Sequence, residues 1–144
     1  MIVQLALGTV LIVVSTFIAG AGFLVMEAGM SRFQAWLLRP PHPQKVLVLL
    51  CASVIWILLI VTVAVWLWAA LFLFLGIFQT LEQSIYFALV SFTTLGFGDI
   101  LLPPEWRLLS GLASINGLLM IGLQTAMLIE VVRRVRTIQS KQDD

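Results

Sequence analysis

Charged residues are scarce in this sequence. Only 10% of its 144 residues are Asp, Glu, Lys or Arg, 61% are hydrophobic, and the formal net charge is +1. Because soluble globular domains are about a quarter charged, the composition excludes that class and indicates an integral membrane protein in contact with lipid. A net charge this small gives no reason to expect a nucleic acid partner.

Residues that carry catalytic or metal chemistry are nearly absent too. Cys51 is the only cysteine and His42 the only histidine. A single cysteine excludes an intrachain disulfide, and the sequence has no His/Cys cluster with the spacing of metal ligands. It also has neither a glycine-rich phosphate loop nor a nucleophile motif. We therefore expect no enzyme activity and no cofactor.

Three long uncharged runs predict membrane-spanning helices. They cover residues 1–26, 46–81 and 108–129, and each reaches the length of about twenty apolar residues that crosses a hydrocarbon core. The first run could instead be a secretory signal peptide. However, the first basic residue is Arg32, so the positively charged start of such a peptide is missing. We expect a retained helix over residues 1–30.

Small residues recur along one side of this first helix. Gly8, Ser15, Ala19 and Gly22 fall on one face at helical spacing, and Gly29 follows. Such a stripe allows close helix contact in lipid, so it predicts packing against another helix of the assembly. The alternative is that glycine is simply common in membrane helices.

Basic residues are distributed unevenly around the spans, and this predicts the orientation. Three lie in a connector over residues 31–45, where prolines 40, 41 and 43 should break any continuous helix. Four follow residue 129, whereas the part between the two later spans has only Arg107. The connector and the tail over residues 136–144 should be cytoplasmic. The N-terminus should be external, in a multi-pass protein of the cell membrane.

A short helix is predicted between the second and third spans. Thr80-Leu81-Glu82-Gln83 is a capping-box pattern, so we expect a helix over residues 80–92, which is too short to cross a membrane. The motif Thr-Thr-Leu-Gly-Phe-Gly-Asp follows at residues 93–99. Non-helical backbone at membrane depth is tolerated only when it is shielded by protein or lines a water-filled path.

This motif resembles the selectivity filter of potassium channels, whose pattern is Thr, an aliphatic residue, Gly, an aromatic, Gly and Asp. The resemblance implies that Thr94, Leu95, Gly96, Phe97 and Gly98 form the ion-coordinating run, with K⁺ as the permeant ion bound at the first four. Successive carbonyl groups line one axis only if left-handed dihedrals alternate with ordinary ones, and the two glycines permit this. The Leu95 and Phe97 side chains should point away from the axis and pack behind the filter.

Residues around the filter are expected to support it. These are Thr93, Asp99 and Tyr86, and Asp99 is placed to accept a hydrogen bond from Tyr86. The sequence departs from the commoner family pattern in having Phe97 in place of tyrosine. Phe87 offers this position no hydrogen-bond partner, and Val90 stands where some relatives have an acidic residue. Potassium selectivity remains the expectation, whereas the stability of the filter stays open.

The resemblance extends over residues 46–135 and implies the pore domain of two-helix potassium channels. Its parts are an outer helix (46–78), the pore helix (80–92), the filter (93–99) and an inner helix (105–135). The predicted fold is an all-α integral membrane protein with three transmembrane helices, a re-entrant pore helix and a filter loop. One chain supplies one filter strand, whereas the family's conduction site needs four, so the resemblance implies a homotetramer.

The inner helix contains the candidates for cavity and gate. By the same resemblance, Leu118, Ile121 and Thr125 should face the pore, and Gly122 belongs to the stretch that lines the inner cavity. Gly117 falls near the family's glycine hinge, although plain helix packing explains it equally well. Asn116 either faces the cavity or makes an interhelical hydrogen bond, and the bond is the simpler interpretation.

At the end of that helix, Glu130 has i,i+3 and i,i+4 spacing to Arg133 and Arg134. This predicts an ion pair at the helix end, with a role in an inner gate as the alternative.

The sequence thus predicts a potassium-selective channel that conducts passively. Two alternatives stay open. One is a weakly selective cation pore, since the filter lacks the usual tyrosine brace. The other is a non-conducting membrane subunit that regulates a separate channel, which would have no need of the intact run from Thr94 to Gly98.

Overall fold

The computed structural model describes residues 1–32 and 42–140. Within them the chain forms four α-helices: α1 (Ile2–Arg32), α2 (His42–Phe74), α3 (Leu81–Phe92) and α4 (Arg107–Ser140). A 3₁₀ turn over Pro104–Trp106 precedes α4, and these residues contain no β-strand. The all-helical fold class is therefore confirmed.

Three of these helices are long and apolar enough to cross a membrane. The candidate spans are Ile2–Gly29, Lys45–Phe74 and Pro104–Arg134. By contrast, α3 has only 12 residues, or about 18 Å at 1.5 Å per residue, which falls short of a hydrocarbon core about 30 Å thick. The chain is accordingly a multi-pass membrane protein with one short helix between its second and third spans.

Helix α2 lies four residues earlier than the predicted outer helix at both ends. It begins at His42, so Pro43 does not break the helix as expected. Pro43 stands in the first turn of the helix, where the N–H group that proline lacks would have no partner in any case. The predicted breaks at prolines 40 and 41 lie outside the described residues. At the other end, Gly76 has a φ of 68° and terminates the helix before residue 78.

The inner helix also differs from its predicted range. It begins at Arg107 rather than at residue 105, because Pro104–Trp106 forms the 3₁₀ turn. It ends at Ser140 rather than at residue 135. No glycine or proline lies between those two positions to stop the helix.

The stripe of small residues on α1 packs against other helices, as predicted, and these helices belong to the same chain. Gly8, Ser15, Ala19 and Gly22 are all buried. A side chain at Gly8 would overlap Leu112 of α4, and one at Gly22 would overlap Ile60 of α2. Helix α1 therefore lies in close contact with both of the other spans.

An aromatic cluster joins the end of α2 to α3. The ring of Phe72 meets those of Phe78 and Phe87 edge to face, with centroids 6.2 Å and 5.4 Å away, and the centroid of the Trp68 ring lies 5.9 Å from that of Phe72. Edge-to-face pairs at such distances are favourable arrangements of aromatic quadrupoles. The cluster fixes the short helix against a membrane span, and so fixes the segment that follows it.

Candidate ion-conducting segment

Helix α3 begins as its sequence predicts. Thr80 is the N-cap, in an extended conformation, and its hydroxyl accepts a hydrogen bond from the backbone N–H of Gln83 at 3.2 Å. Glu82 stands in the first turn, where the positive end of the helix dipole favours a carboxylate. These contacts set the position at which the helix starts.

A Schellman motif joins the end of α3 to residues 93–99, which are called the filter segment below because they contain the filter-like motif. The N–H of Thr94 donates to the carbonyl of Ser91 at 2.9 Å, and the N–H of Leu95 donates to that of Val90 at 3.0 Å. This motif needs a left-handed residue at its centre, usually glycine. Here the central residue is Thr94, with a φ of 58°.

A comparison within the chain shows how unusual this is. Helix α2 ends in the same motif, with the N–H of Gly76 bonded to Leu73 and that of Ile77 bonded to Phe72. There the left-handed position is held by Gly76. A β-branched residue in this conformation is an outlier and costs on the order of 1–3 kcal/mol, so the surrounding structure must impose it.

Left-handed backbone recurs at every second residue of the filter segment. The φ angles of Thr94, Gly96 and Gly98 are 58°, 55° and 76°, and Leu95 and Phe97 between them do not have positive φ. The alternation that the two glycines predicted is therefore present. It begins one step earlier than expected, at Thr94. The spacing itself was the available signal, since counting back two residues from Gly96 reaches this position.

The filter side chains are not packed by the chain that carries them. Leu95 is 58% exposed and Phe97 is 66% exposed. The expectation that both pack behind the filter concerns the assembled pore and stays a prediction, because no described element of the single chain covers them. Two exposed apolar side chains, two residues apart in this segment, indicate a surface that something else covers.

Tyr86 and Asp99 connect α3 to the far end of the filter segment. The Tyr86 hydroxyl donates to Asp99 Oδ2 at 2.6 Å, as predicted. This hydrogen bond lowers the pKa of Asp99 below its ordinary value and raises that of Tyr86, because it favours the ionised carboxylate and the neutral phenol. The hydroxyl of Thr93, the third residue expected to support the filter, donates back to the carbonyl of Leu89 in α3 at 2.8 Å.

The inner helix passes close to the base of the filter at Gly117. Gly117 is buried, and a side chain there would overlap the backbone carbonyl of Phe92, the last residue of α3. Helix α4 is continuous through this position. The geometry therefore gives Gly117 a packing role.

The comparison with known proteins agrees with this arrangement. A family model described as an ion channel matches residues 46–134, which is more than half of the chain. The chain belongs to this ion channel family. Neither a curated protein nor a solved structure shows a significant match. The protein is therefore a membrane transport protein, and its channel domain includes α2, α3, the filter segment and most of α4.

Four of the six cavity candidates lie on one open side of the channel's inner helix. Leu118, Ile121, Gly122 and Thr125 are all exposed in the single chain, and their position facing a pore stays a prediction. Asn116 and Gly117 are buried and do not belong to this side. Asn116, a candidate for the cavity, instead makes the interhelical hydrogen bond that was the simpler interpretation: its side-chain Nδ2 donates to Ser15 Oγ of α1 at 3.0 Å.

Helix α1 contacts the inner helix of the channel at three heights. At the start of α4, the Gln4 side chain donates to the carbonyl of Glu105 and accepts from the N–H of Leu108 at 3.1 Å. Halfway along lies the bond between Ser15 and Asn116. The two helices run parallel, because successive positions along α1 meet successive positions along α4.

The third contact is an ion pair that sequence reasoning missed. Arg134 bonds Glu130 at 2.8 Å, as predicted from their spacing, and also bonds Glu27 of α1 at 2.6 Å. Glu27 is the only acidic residue before Glu82, so a lone carboxylate at the end of the first span was the available signal. All three side chains are between 35% and 40% exposed, which makes this a weak contact energetically.

Proposed function

We propose that the protein is a potassium-selective channel in which four identical chains surround one conducting pore. The observation that carries this proposal is the alternation of left-handed backbone at Thr94, Gly96 and Gly98. Alternating dihedrals turn successive carbonyl groups toward the same side of the strand, and rings of such oxygens replace the hydration shell of K⁺ in potassium filters. K⁺ is then the transported ion rather than a cofactor.

The uncovered surfaces of the single chain support the assembly. Leu95 and Phe97 are exposed beside the filter, and Leu118 and Thr125 are exposed along the inner helix. Copies arranged around an axis would cover the first pair and leave the second facing a central cavity. Closed rotational symmetry is the usual form of a homo-oligomer.

The proposed orientation puts the filter toward the outside of the cell membrane. The cytoplasmic side would then hold the connector, the end of α4 and the basic residues Arg133, Arg134 and Arg136, as the positive-inside rule requires. The N-terminus of α1 would be external. Reporter fusions at the two ends of the chain should therefore give opposite signals.

A weakly selective cation pore is the second candidate, and one observation favours it. The ring of Phe87 packs between those of Phe72 and Phe78, at centroid distances of 5.4 Å and 5.3 Å, and a phenyl ring has no N–H or O–H group to donate a hydrogen bond to the filter. Phe97 has no hydroxyl group to form one. A non-conducting regulatory subunit is less well supported, because such a subunit would gain nothing from a strained Thr94.

Ion flux from liposomes tests the proposal. Vesicles that contain the purified protein should pass K⁺ and Rb⁺ much faster than Na⁺, and Ba²⁺ should block the flux. Native mass spectrometry of the same preparation should show four chains. Equal K⁺ and Na⁺ fluxes would favour the weakly selective pore, and no flux from a tetrameric preparation would favour the regulatory subunit.

A further inference from the structure

Helix α1 lies outside the region that the ion channel family model matches. The match covers residues 46–134, whereas α1 ends at Arg32, so membership of the family gives no account of this helix. Nevertheless α1 contacts the inner helix α4 near the beginning and near the end of its membrane span. The contacts differ in kind along the helix, and this difference indicates what α1 does.

The contacts on the filter side of α4 are buried. Gln4 is only 7% exposed and bonds backbone groups at the start of α4. Ser15 and Asn116 are fully buried and bond each other at 3.0 Å. Breaking either contact would leave a buried donor or acceptor unpaired, which is costly. This half of α4 is therefore fixed to α1.

The contact at the other end of α4 is exposed. Arg134 lies three residues past Val131, the last described residue of α4 that is buried. It bonds Glu27 at 2.6 Å, and the two side chains are 38% and 40% exposed. Water can solvate both partners when they separate, so this ion pair can be made and broken at little cost.

Helix α1 is itself anchored close to Glu27. Trp56 Nε1 of α2 donates to the carbonyl of Gly22 at 3.0 Å, and a side chain at Gly22 would overlap Ile60 of α2. This anchor lies about 7.5 Å of helix rise before Glu27. When the ion pair breaks, α1 stays attached to α2, and the end of α4 is the part that is released.

We infer that α1 regulates the proposed pore through the ion pair between Glu27 and Arg134, which holds the end of the inner helix in one position. The inference rests on the proposed function, in which four copies of this end would surround the inner mouth of the pore. Movement of the end would then change how often the pore conducts. Loss of the pair should change the ratio of released to held positions by about 1.5- to fivefold, the range for exposed ion pairs.

Electron–electron double resonance measures the position of this end directly. Spin labels at Leu24→Cys in α1 and Arg136→Cys in α4 report the distance between the helices, and both positions are exposed. Cys51→Ala removes the only native cysteine, and an excess of unlabelled chains keeps the measurement within one chain. Glu27→Gln should raise the ratio of longer to shorter distances by about 1.5- to fivefold.

Two further variants separate the contact between helices from the loss of a charge. Glu27→Arg combined with Arg134→Glu exchanges the two partners and should restore the wild-type distances. Glu130→Gln removes the other carboxylate on Arg134 but keeps the contact with α1, so it should leave the distances unchanged. Salt at about 1 M, where the Debye length is about 3 Å, should shift the wild type toward Glu27→Gln.

Single-channel recording tests the regulation. Glu27→Gln and Arg134→Gln should each change the ratio of open to closed time by about 1.5- to fivefold in the same direction, and the exchange variant should restore it. Unchanged distances in Glu27→Gln, or an equal effect of Glu130→Gln, would overturn the inference. So would changed distances with an unchanged ratio of open to closed time.

Failure of the proposed function would look different. Absence of current in every variant, the wild type included, would contradict a conducting pore. The distances do not depend on conduction, and they would still decide whether the ion pair holds the end of α4.

Discussion

Gly117 of α4 lies directly against the backbone carbonyl of Phe92, the residue at which the short helix α3 ends. A Cβ atom at Gly117 would overlap that oxygen. One glycine therefore lets the inner helix approach the base of the filter segment, and the energetic importance of this contact can be measured.

We predict that Gly117→Ala destabilises the protein by several kcal/mol or prevents its assembly, since backbone atoms cannot move aside as a flexible side chain would. Gly111→Ala is the matched control on the same helix, because a side chain there meets nothing within 4 Å. It should be neutral, or stabilising by up to about 1 kcal/mol, since alanine favours helix over glycine. Thermal unfolding in detergent compares the two, and equal melting temperatures would rule out the close contact.

Thr94 should be a strained residue whose relief stabilises the chain. We predict that Thr94→Gly raises the free energy of unfolding by about 1 kcal/mol, because glycine adopts the left-handed conformation without a Cβ clash. Gly76→Thr is the reciprocal change in the equivalent motif at the end of α2, and it should lower stability by a similar amount. Denaturation curves of both variants test this. A loss of stability in both would show that Thr94 makes compensating contacts.

The Ser15–Asn116 pair should show a coupling energy. Bonds of this kind between membrane helices average about 0.6 kcal/mol and reach about 1.7 kcal/mol. We expect a coupling in this range from a double-mutant cycle of Ser15→Ala and Asn116→Leu, measured by unfolding in detergent. Purely additive effects of the two changes would contradict the hydrogen bond.

The Tyr86–Asp99 hydrogen bond should appear in the titration of Asp99. Its pKa is lowered from the ordinary value of 3.8, with the Tyr86 hydrogen bond as the largest cause. Since the folded pKa lies below the unfolded one, the bond stabilises the fold above the unfolded pKa, and this stabilisation is lost as the pH falls through the folded pKa. Tyr86→Phe should therefore move the Asp99 midpoint upward.

Carboxyl carbon NMR measures that midpoint, with Asp99→Asn to assign the resonance. The bond should also be lost at alkaline pH. The pKa of Tyr86 is raised above 10.0, and the bond should break once the phenol loses its proton. An unchanged Asp99 midpoint in Tyr86→Phe would show that the bond does not persist in the membrane protein.

Local patterns in the sequence were enough to predict the helices and the alternation of the filter backbone. Uncharged length identifies the spans, the Thr80 cap sets the start of α3, and Gly96 and Gly98 mark two of the three left-handed positions. These features depend on neighbours in the chain. The Tyr86–Asp99 bond spans only 13 residues and was also within reach of such reasoning.

Contacts between distant parts of the chain could not be predicted in the same way. The sequence left two interpretations open for Asn116 and two for Gly117. The contact of Asn116 with α1 favours one of the first two, and the approach of Gly117 to Phe92 favours one of the second two. The second carboxylate on Arg134 comes from Glu27, 107 residues away. The exposure of Phe97 was likewise not predicted, because the surface that would cover this side chain is not part of the single chain.

The reversal potential of a bilayer with KCl on one side and NaCl on the other tests the central claim most directly. Each tenfold preference for K⁺ over Na⁺ shifts this potential by about 59 mV for a monovalent ion. We predict a shift of at least that size toward the K⁺ equilibrium potential in the wild-type protein. A reversal potential near zero, with current flowing, would contradict a potassium-selective filter formed by residues Thr94, Leu95, Gly96, Phe97 and Gly98.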